Sequence, residues 1–383
     1  MREEVHISME DKKWIEESWQ AIQDKIERVS KRTKQMIPYT TDSKGRYQDI
    51  FKEIPAMWTN GFWAGTMWLM YQETRQESYK EDALAMEVML DDALYLKNGL
   101  MENLDHDVGF LWHLSGVAEY RITGNPDGHR RGIIASNYLM ARFNPKGGFI
   151  TAWNSKEREG WSIIDTMMNL PLLYWAFKET GMQRYRDVAI AHAQKTMQYL
   201  IRPDGSSAHI AVYNVETGEF IEYKAGQGAH EDSSWTRGQG WAIYGFALSY
   251  RYTKNPEYLH TAKKVAHYYL ASYEDYNRIP PSDFRGDQNK KLMDTTSAVI
   301  AANGLIEISN YVSESEKRFY YNAALSLLKD MIENYCDFSD QSDAILQKSS
   351  ERYTDEKEMT IIYGDFFLLE AVLKLKGSEF SIW

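Results

Sequence analysis

The chain is poor in the residues that staple or punctuate a fold. Its 383 residues include one cysteine, Cys336, and nine prolines. One thiol allows no internal disulfide and no cysteine-based metal cluster, and nothing beside Cys336 suggests a reactive thiol. No apolar run reaches the ~18 residues that a bilayer crossing needs. The first residues, MREEVHISMEDKK, are charged and lack the apolar stretch of a secretion signal, so the chain is expected to be cytoplasmic. Positive charge is also short. Lys+Arg number 44 against 55 Asp+Glu, a net charge of −11, and no Lys/Arg stripe is present, which argues against a nucleic-acid partner. No His-Glu-x-x-His motif occurs. Asp105, His106 and Asp107 are consecutive, so their side chains are expected to diverge, and no metal is expected.

What is abundant is aromatic and helical. The 12 Trp, 26 Tyr and 14 Phe exceed what an ordinary core requires and raise the prospect of a carbohydrate cleft. Residues 12–36 set Trp14, Ile15, Trp19, Ile22 and Ile26 on one stripe at helical spacing. The same amphipathic pattern returns at 80–97, 129–143, 183–200, 257–273 and 315–334. Between these lie segments apolar on most sides, at 60–74, 109–122, 165–179, 236–253, 295–311 and 361–375, as expected of helices buried on most sides.

A recurring joint links the two kinds. YQETRQESY, YRITGNPDG, FKETGMQRY and YRYTKNPEY each end an apolar helix and open an amphipathic one. Their threonines, Thr74, Thr123, Thr180 and Thr253, lie 49, 57 and 73 residues apart. This is the mark of an array of helical hairpins. Six apolar helices inside and six amphipathic ones outside make a closed toroid; an open solenoid is the alternative. No linker rich in Pro, Ser or Gly interrupts the run, so residues 1–383 read as one domain. Within 201–234, IAVYNVETGEFIEY reads as a hairpin with its turn at 216–218.

Polar residues gather in the loops entering the apolar helices: WTNGFW (58–63), ENLDHDVGF (102–110), residues 149–171, HEDSSWTRGQGW (230–241), LMDTTSA (292–298) and MTIIYGDFF (359–367). In a closed ring these loops meet at one mouth. Two carboxylates stand out. Asp107 follows His106 at a helix start, and Asp165 lies among Ile163, Ile164, Met167 and Met168. The plain reading of either is a helix cap. For Asp165 the apolar flanks imply poor solvation, which raises a carboxyl pKa, while a helix N-terminus pulls the other way.

In their order and spacing, WTNGFW, NLDHDVGF, IIDTMMNLPLL, SSWTRGQGWAIYGFAL and IIYGDFFLLEAVLKL resemble glycoside hydrolase family 88, the unsaturated glucuronyl hydrolases. The likeness runs from about residue 40 to the end. It implies an all-α (α/α)6 barrel without metal or organic cofactor. It also implies removal of the Δ4,5-unsaturated uronic acid that polysaccharide lyases leave at non-reducing ends. The family's acid/base falls on Asp165 and its second essential carboxylate on Asp107. Its sugar contacts fall on Trp58, His106, Trp153, His209, Gln227, Trp235 and Arg237. Read alone, the tryptophans are equally core and the histidines structural. Arg237 offers a planar fork suited to a carboxylate.

Two departures stand against the likeness. ENLDHDVGF is one residue shorter than the family pattern and has one histidine before the second Asp, which puts Asp107 rather than Asp105 in the site. LQKSSERYTDEKEM lacks the Ser-x-x-Ser-x-Lys pattern of relatives that prefer sulfated substrates, although Lys348, Ser349, Ser350 and Arg352 stand there.

The implied chemistry is hydration of a vinyl ether, with Asp165 protonating C4 and water adding at C5. Three other readings stay open: an unsaturated rhamnogalacturonyl hydrolase, against which NLDHD argues; a lyase on a similar toroid; and a non-catalytic oligosaccharide-binding protein. The sequence leaves the second sugar, its sulfation and the oligomeric state undetermined.

Overall fold

The computed structural model describes residues 7–34, 36–95 and 104–383. The polar start of the chain, the end of the helix expected over 80–97, and Glu102 and Asn103 lie outside them. The outer helix α1 (Met9–Arg32) leads to the hairpin of α2 (Gly61–Thr74) and α3 (Glu77–Leu94). The next inner helix is broken: α4 (Val108–Trp112) passes through one π-helical turn, His113–Val117, into α5 (Ala118–Thr123), and returns by α6 (Pro126–Ala141). Three further inner–outer pairs follow. They are α7 (Leu170–Thr180) with α8 (Gln183–Tyr199), α9 (Thr236–Thr253) with α10 (Pro256–Asp275), and α11 (Thr295–Ser309) with α12 (Glu314–Tyr335). The inner α13 (Ile362–Lys376) ends the ring.

The inner helices close on themselves. Contacts run from α2 through the α4–α5 segment to α7, α9, α11 and α13, and from α13 back to α2. Helix α1 packs on α13, so the sixth pair joins opposite ends of the chain. This is the (α/α)6 barrel, and it settles the choice against an open solenoid. Every residue of α11 is buried, as an all-round apolar helix must be. On α1 the expected stripe faces the core, with Ile15, Trp19, Ile22 and Ile26 buried and Trp14 packed at its edge.

The repeated joint has one physical form. Each joint threonine is the last residue of its inner helix and donates its hydroxyl to the carbonyl four residues back. The pairs are Thr74 to Met70, Thr123 to Glu119, Thr180 to Ala176 and Thr253 to Ser249, all at 2.7–2.8 Å. The same oxygen then accepts the amide two residues on, at 3.1–3.3 Å. Between them sits a left-handed residue, Arg75, Gly124, Gly181 or Lys254, which ends the helix.

Short strands occupy the loops at the other end. β1 (Pro38–Thr41) pairs with β2 (Tyr47–Asp49), and β3 (Phe143–Asn144) with β4 (Phe149–Ile150). The expected hairpin forms from β6 (Ile210–Tyr213) and β7 (Phe220–Lys224), and β5 (Trp161–Ile163) adds to it in the order β5-β6-β7. Three residues with a partner some fifty positions away leave no periodic signal, so β5 escapes sequence reading. The opposite end is plugged. The ring of Trp383 stacks on Phe367 and His113 and meets Phe110 edge-on.

A buried ion cluster fastens the second hairpin to the first. Arg131 of α6 binds Asp91 at 2.8 Å, Glu119 at 3.0 Å and Glu87 at 3.2 Å, and Glu87 also accepts the Trp68 indole at 2.7 Å. Removing the cation strands buried carboxylates, which costs far more than losing a surface pair. Arg131→Met is therefore expected to lower unfolding free energy by about 3 kcal/mol. Urea denaturation measures it, and a loss under about 1 kcal/mol would show that the carboxylates simply take up protons.

Candidate active site

Four of the six loops line one cavity of about 350 Å³ at the mouth, which all nine residues singled out in the sequence share, and the other two pack behind it through Asp294 on Arg237 and Tyr363 on Trp58. A larger recess of about 430 Å³ lies on the outer surface between α10 and α12, but it holds none of these residues and its walls are mainly apolar.

One wall is built on the three-stranded sheet. Ile163 of β5 pairs with Ile210 of β6, and the Ile164 amide donates to the His209 carbonyl at 3.1 Å. That register sets Asp165, in the 3-10 turn Ile164–Met168, beside His209: Nε2 lies 3.4 Å from Asp165 Oδ2. The Gln227 amide donates to His209 Nδ1 at 2.9 Å. An amide is an obligate donor, so Nδ1 accepts and Nε2 carries the proton, which assigns the tautomer over the longer 3.3 Å approach to the Ala225 carbonyl. Gly226 makes this possible. Its φ is +60°, and a Cβ there would come within 2.1 Å of His209 Nδ1. Both Asp165 Oδ2 and His209 Nε2 are buried without a hydrogen-bond partner.

The second wall is the start of α4. Asp107 is its N-terminal flanking residue, yet its side chain caps nothing. Instead Asp107 Oδ1 accepts Asn169 Nδ2 at 2.9 Å, while Asn169 Oδ1 takes the Phe110 amide at 2.9 Å. Gly109 permits the approach, since a Cβ there would lie 2.5 Å from Asn169 Oδ1. The Asp107 amide donates to Asp105 Oδ1 at 2.8 Å. Burial, then the charges of Asp105 and Asp165, push the Asp107 carboxyl well above its usual range. Burial likewise raises Asp105, to about 6. His106 contacts Thr166 Oγ1 through Nδ1 at 3.0 Å, and burial drives its pKa well down, so it is neutral.

The expectation that Asp105, His106 and Asp107 diverge does not hold. The chain turns here rather than running as helix or strand, and their ligand atoms lie within 4.8 Å of one another. One donor atom of each is engaged within the protein, Asp105 Oδ1 by the Asp107 amide, His106 Nδ1 by Thr166 and Asp107 Oδ1 by Asn169, while His106 Nε2 is buried without a partner.

Aromatic and cationic groups complete the cavity. Trp58 packs on Tyr363 and Phe110, with centroids 5.0 and 5.5 Å away. Trp235 is 2% exposed, its ring held between His209 and the Arg237 guanidinium, so it serves as a wall. Arg237 is not a free fork. Nη1 binds Asp294 and the Ser350 carbonyl, Nη2 binds the Glu351 carbonyl, and Nε alone is buried without a partner. Gln227 Nε2 also holds the Glu351 carbonyl, at 2.8 Å. Arg237 and Gln227 thus clamp the loop that carries Arg352 into the cavity wall.

Sequence reasoning passed over Asn169 and Thr166, although both stand in the IIDTMMNLP motif, and over Arg142. That arginine braces the 104 and 151–154 backbones through the carbonyls of Leu104, Thr151 and Ala152. It also left Arg158 and Trp161 unremarked, both of which line the cavity.

Residues 22–279 match the family model described as Glycosyl Hydrolase Family 88. An unsaturated glucuronyl hydrolase of Bacillus sp. (strain GL1) is 34% identical over 90% of this chain and 92% of its own. An unsaturated chondroitin disaccharide hydrolase of Streptococcus pyogenes serotype M1 is 33% identical over 85% and 83%. The crystal structure of the Bacillus sp. GL1 unsaturated glucuronyl hydrolase, responsible for the degradation of glycosaminoglycan, superposes with a TM-score of 0.87. It is 32% identical and covers 94% of this chain and 97% of that one.

The raised Asp105 pKa carries a stability consequence. The folded state holds this proton more tightly than the unfolded chain, so stability falls as pH rises from ~4 to about 6 and the cost is complete above that. Asp105→Asn never ionises and can still accept the Asp107 amide. Its melting temperature relative to wild type is expected to rise by at least about 2 °C between pH ~4.5 and pH ~8. A constant difference, read by calorimetry at the two pH values, would refute the assignment.

Proposed function

The chain belongs to Glycosyl Hydrolase Family 88, and on that premise we propose that it removes a Δ4,5-unsaturated uronic acid from the non-reducing end of glycosaminoglycan-type oligosaccharides. The observation that carries this reading is the meeting of Asp165, His209 and Asp107 in one cavity walled by Trp58, Trp153 and Trp235. A non-catalytic binding protein has no use for three carboxylates, Asp105 with Asp107 and Asp165, gathered at such cost.

The substrate is a vinyl ether. Asp165 donates a proton to C4, positive charge develops at C5 with support from the ring oxygen, and the Asp165 carboxylate then draws a proton from the water that adds at C5. The resulting hemiketal opens and expels the next sugar. Attack at C1 plays no part, so the spacing of the carboxylates does not encode retention or inversion. His209 Nε2–H faces Asp165 Oδ2 and stabilises the anion once the proton has left. Asp107, its carboxyl held above the usual range chiefly by burial, binds sugar hydroxyls. Arg237 Nε is the free donor for the uronate carboxylate, and Trp58 and Trp153 supply faces for the sugars.

The reading also takes residues 1–383 as one domain, supported by one main hydrophobic core reaching from Ile7 to Trp383. No helix among the described residues is long and apolar enough to cross a membrane. A cytoplasmic site of action belongs to the proposal, supported by a chain with a single thiol.

Asp165→Asn is expected to reduce turnover to below about 1% of wild type, followed by loss of the substrate's ultraviolet absorbance, with binding retained. Asp107→Asn is expected to be severe and Asp105→Asn milder; the reverse order would transfer the second role to Asp105. In heavy water one deuterium should enter C4 of the released sugar. Cleavage of a saturated glucuronide, or a product that keeps its absorbance, would end the hydration reading. Chelators should leave the rate unchanged, because in the candidate ligand cluster found among the described residues one donor of each residue is already bonded to protein. Activity lost to EDTA and restored by one metal would place an ion there.

A further inference from the structure

Positive charge at the cavity divides into committed and uncommitted groups. Arg237 has both terminal nitrogens bound to protein. Arg352 lies 3.6 Å from Glu351 and 3.9 Å from Asp355, and Lys348 lies 3.4 Å from Glu358. Arg158 differs. It is exposed, it lines the cavity, and among the described residues no carboxylate lies within ion-pair distance of it, although Glu157 and Glu159 are its chain neighbours.

Its position is built. The loop 154–160 is closed at its neck, where the Ala152 amide donates to the Trp161 carbonyl at 2.8 Å, and the Thr151 hydroxyl holds the Glu159 carbonyl at 2.9 Å. Trp153 and Trp161 flank that neck with centroids 6.0 Å apart. Arg158 folds back over both indoles, its Cζ 5.3 Å from one ring and 5.4 Å from the other. Two aromatic faces hold the guanidinium in place while its N–H edge stays open, so little side-chain freedom remains to be lost on binding.

We propose that Arg158 binds a sulfate ester on the sugar that follows the unsaturated uronate. This deepens the proposed function and rests on it. The terminal sugar must reach Asp165, whose side chain is only 13% exposed, so the rest of the substrate runs outward past the exposed rim where Arg158 stands. A guanidinium edge meets a sulfate by paired hydrogen bonds. The uronate carboxylate is the other anion within the substrate, and the test separates the two.

The experiment measures kcat/KM of wild type, Arg158→Gln and Arg158→Lys on two unsaturated disaccharides, one with and one without sulfate on the second sugar. The ratio of sulfated to unsulfated kcat/KM is expected to fall about five-fold or more in Arg158→Gln and to be partly kept in Arg158→Lys. Added salt should raise KM for the sulfated substrate more in wild type than in Arg158→Gln. Equal losses on both substrates would assign Arg158 to the uronate carboxylate or to propping the indoles, and would overturn the proposal. An unchanged ratio, or a wild type inactive on the sulfated disaccharide alone, would overturn it too. A wild type inactive on both disaccharides is a different failure, that of the proposed function itself, and takes this inference with it.

Discussion

One side-chain amide fixes the relation between the two candidate carboxylates. Asn169 follows the turn that carries Asp165 and touches the start of α4. Its oxygen takes the Phe110 amide, so its nitrogen must face Asp107. The amide cannot be reversed without setting oxygen against carboxylate and nitrogen against N–H. The contact exists because Gly109 has no side chain and because the ring of inner helices presses α4 and α7 together. From this closeness follows the crowding of Asp105, Asp107 and Asp165; burial first, and then the charges of the other two, raise the Asp107 carboxyl against the Asn169 bond, which lowers it. Phe110, whose amide is held, also carries Trp58 above and meets the Trp383 plug below. The plugged end of the barrel and the open mouth are therefore parts of one packed column.

Charge is distributed so that an acidic protein can receive an anion. The average field opposes an acidic ligand, so local cations must do the attracting, and most of them prove to be occupied. Arg237 looks in sequence like the grip for a carboxylate. In the fold its terminal nitrogens bind Asp294 and the 350–351 backbone, and one buried donor remains. A buried guanidinium needs such partners to be tolerated, and the loop it holds completes the cavity wall. Arg237 is thus first a building element of the wall, and its proposed part in recognition rests on that single donor, while open charge stands only at the rim.

How much was legible in the sequence depends on the range of the signal. The alternation of inner and outer helices is written in local periodicity, and the joints Thr74, Thr123, Thr180 and Thr253 were readable because each does one local task with atoms within six residues. The loops that lie together were legible as a consequence of ring closure. Six of the nine site residues stand in four of the five motifs, and Trp153, His209 and Gln227 follow from the resemblance to a known family alone. What escaped was non-local or second in line. Strand β5 finds its partner across the chain. Asn169 and Thr166 act on Asp107 and His106 from a neighbouring hairpin. The turn at Asp105–Asp107 was misjudged because consecutive side chains diverge only on regular backbone, and the backbone there is irregular.

The site is assembled from two kinds of material, and each suits a different task. Asp165 and Asp107 sit where buried inner helices begin, braced by backbone and amide bonds in a close-packed interior, and the proton transfer to carbon proposed for this site demands such fixed placement. The rim is made of two loops. Residues 154–160 rest on paired indoles, and residues 349–353 hang from Arg237 and Gln227. Neither loop carries a helix or a strand of the barrel, so either can change in length or charge without moving the acids. Of the two departures in this chain, the shortened ENLDHDVGF falls on the wall that carries Asp107, and the other falls at the rim. The loop around 346–359 lacks the pattern of relatives that prefer sulfated substrates, while the opposite loop presents Arg158 on its two tryptophans. A rigid acid pair with exchangeable rims lets one reaction serve oligosaccharides that differ beyond the sugar being removed.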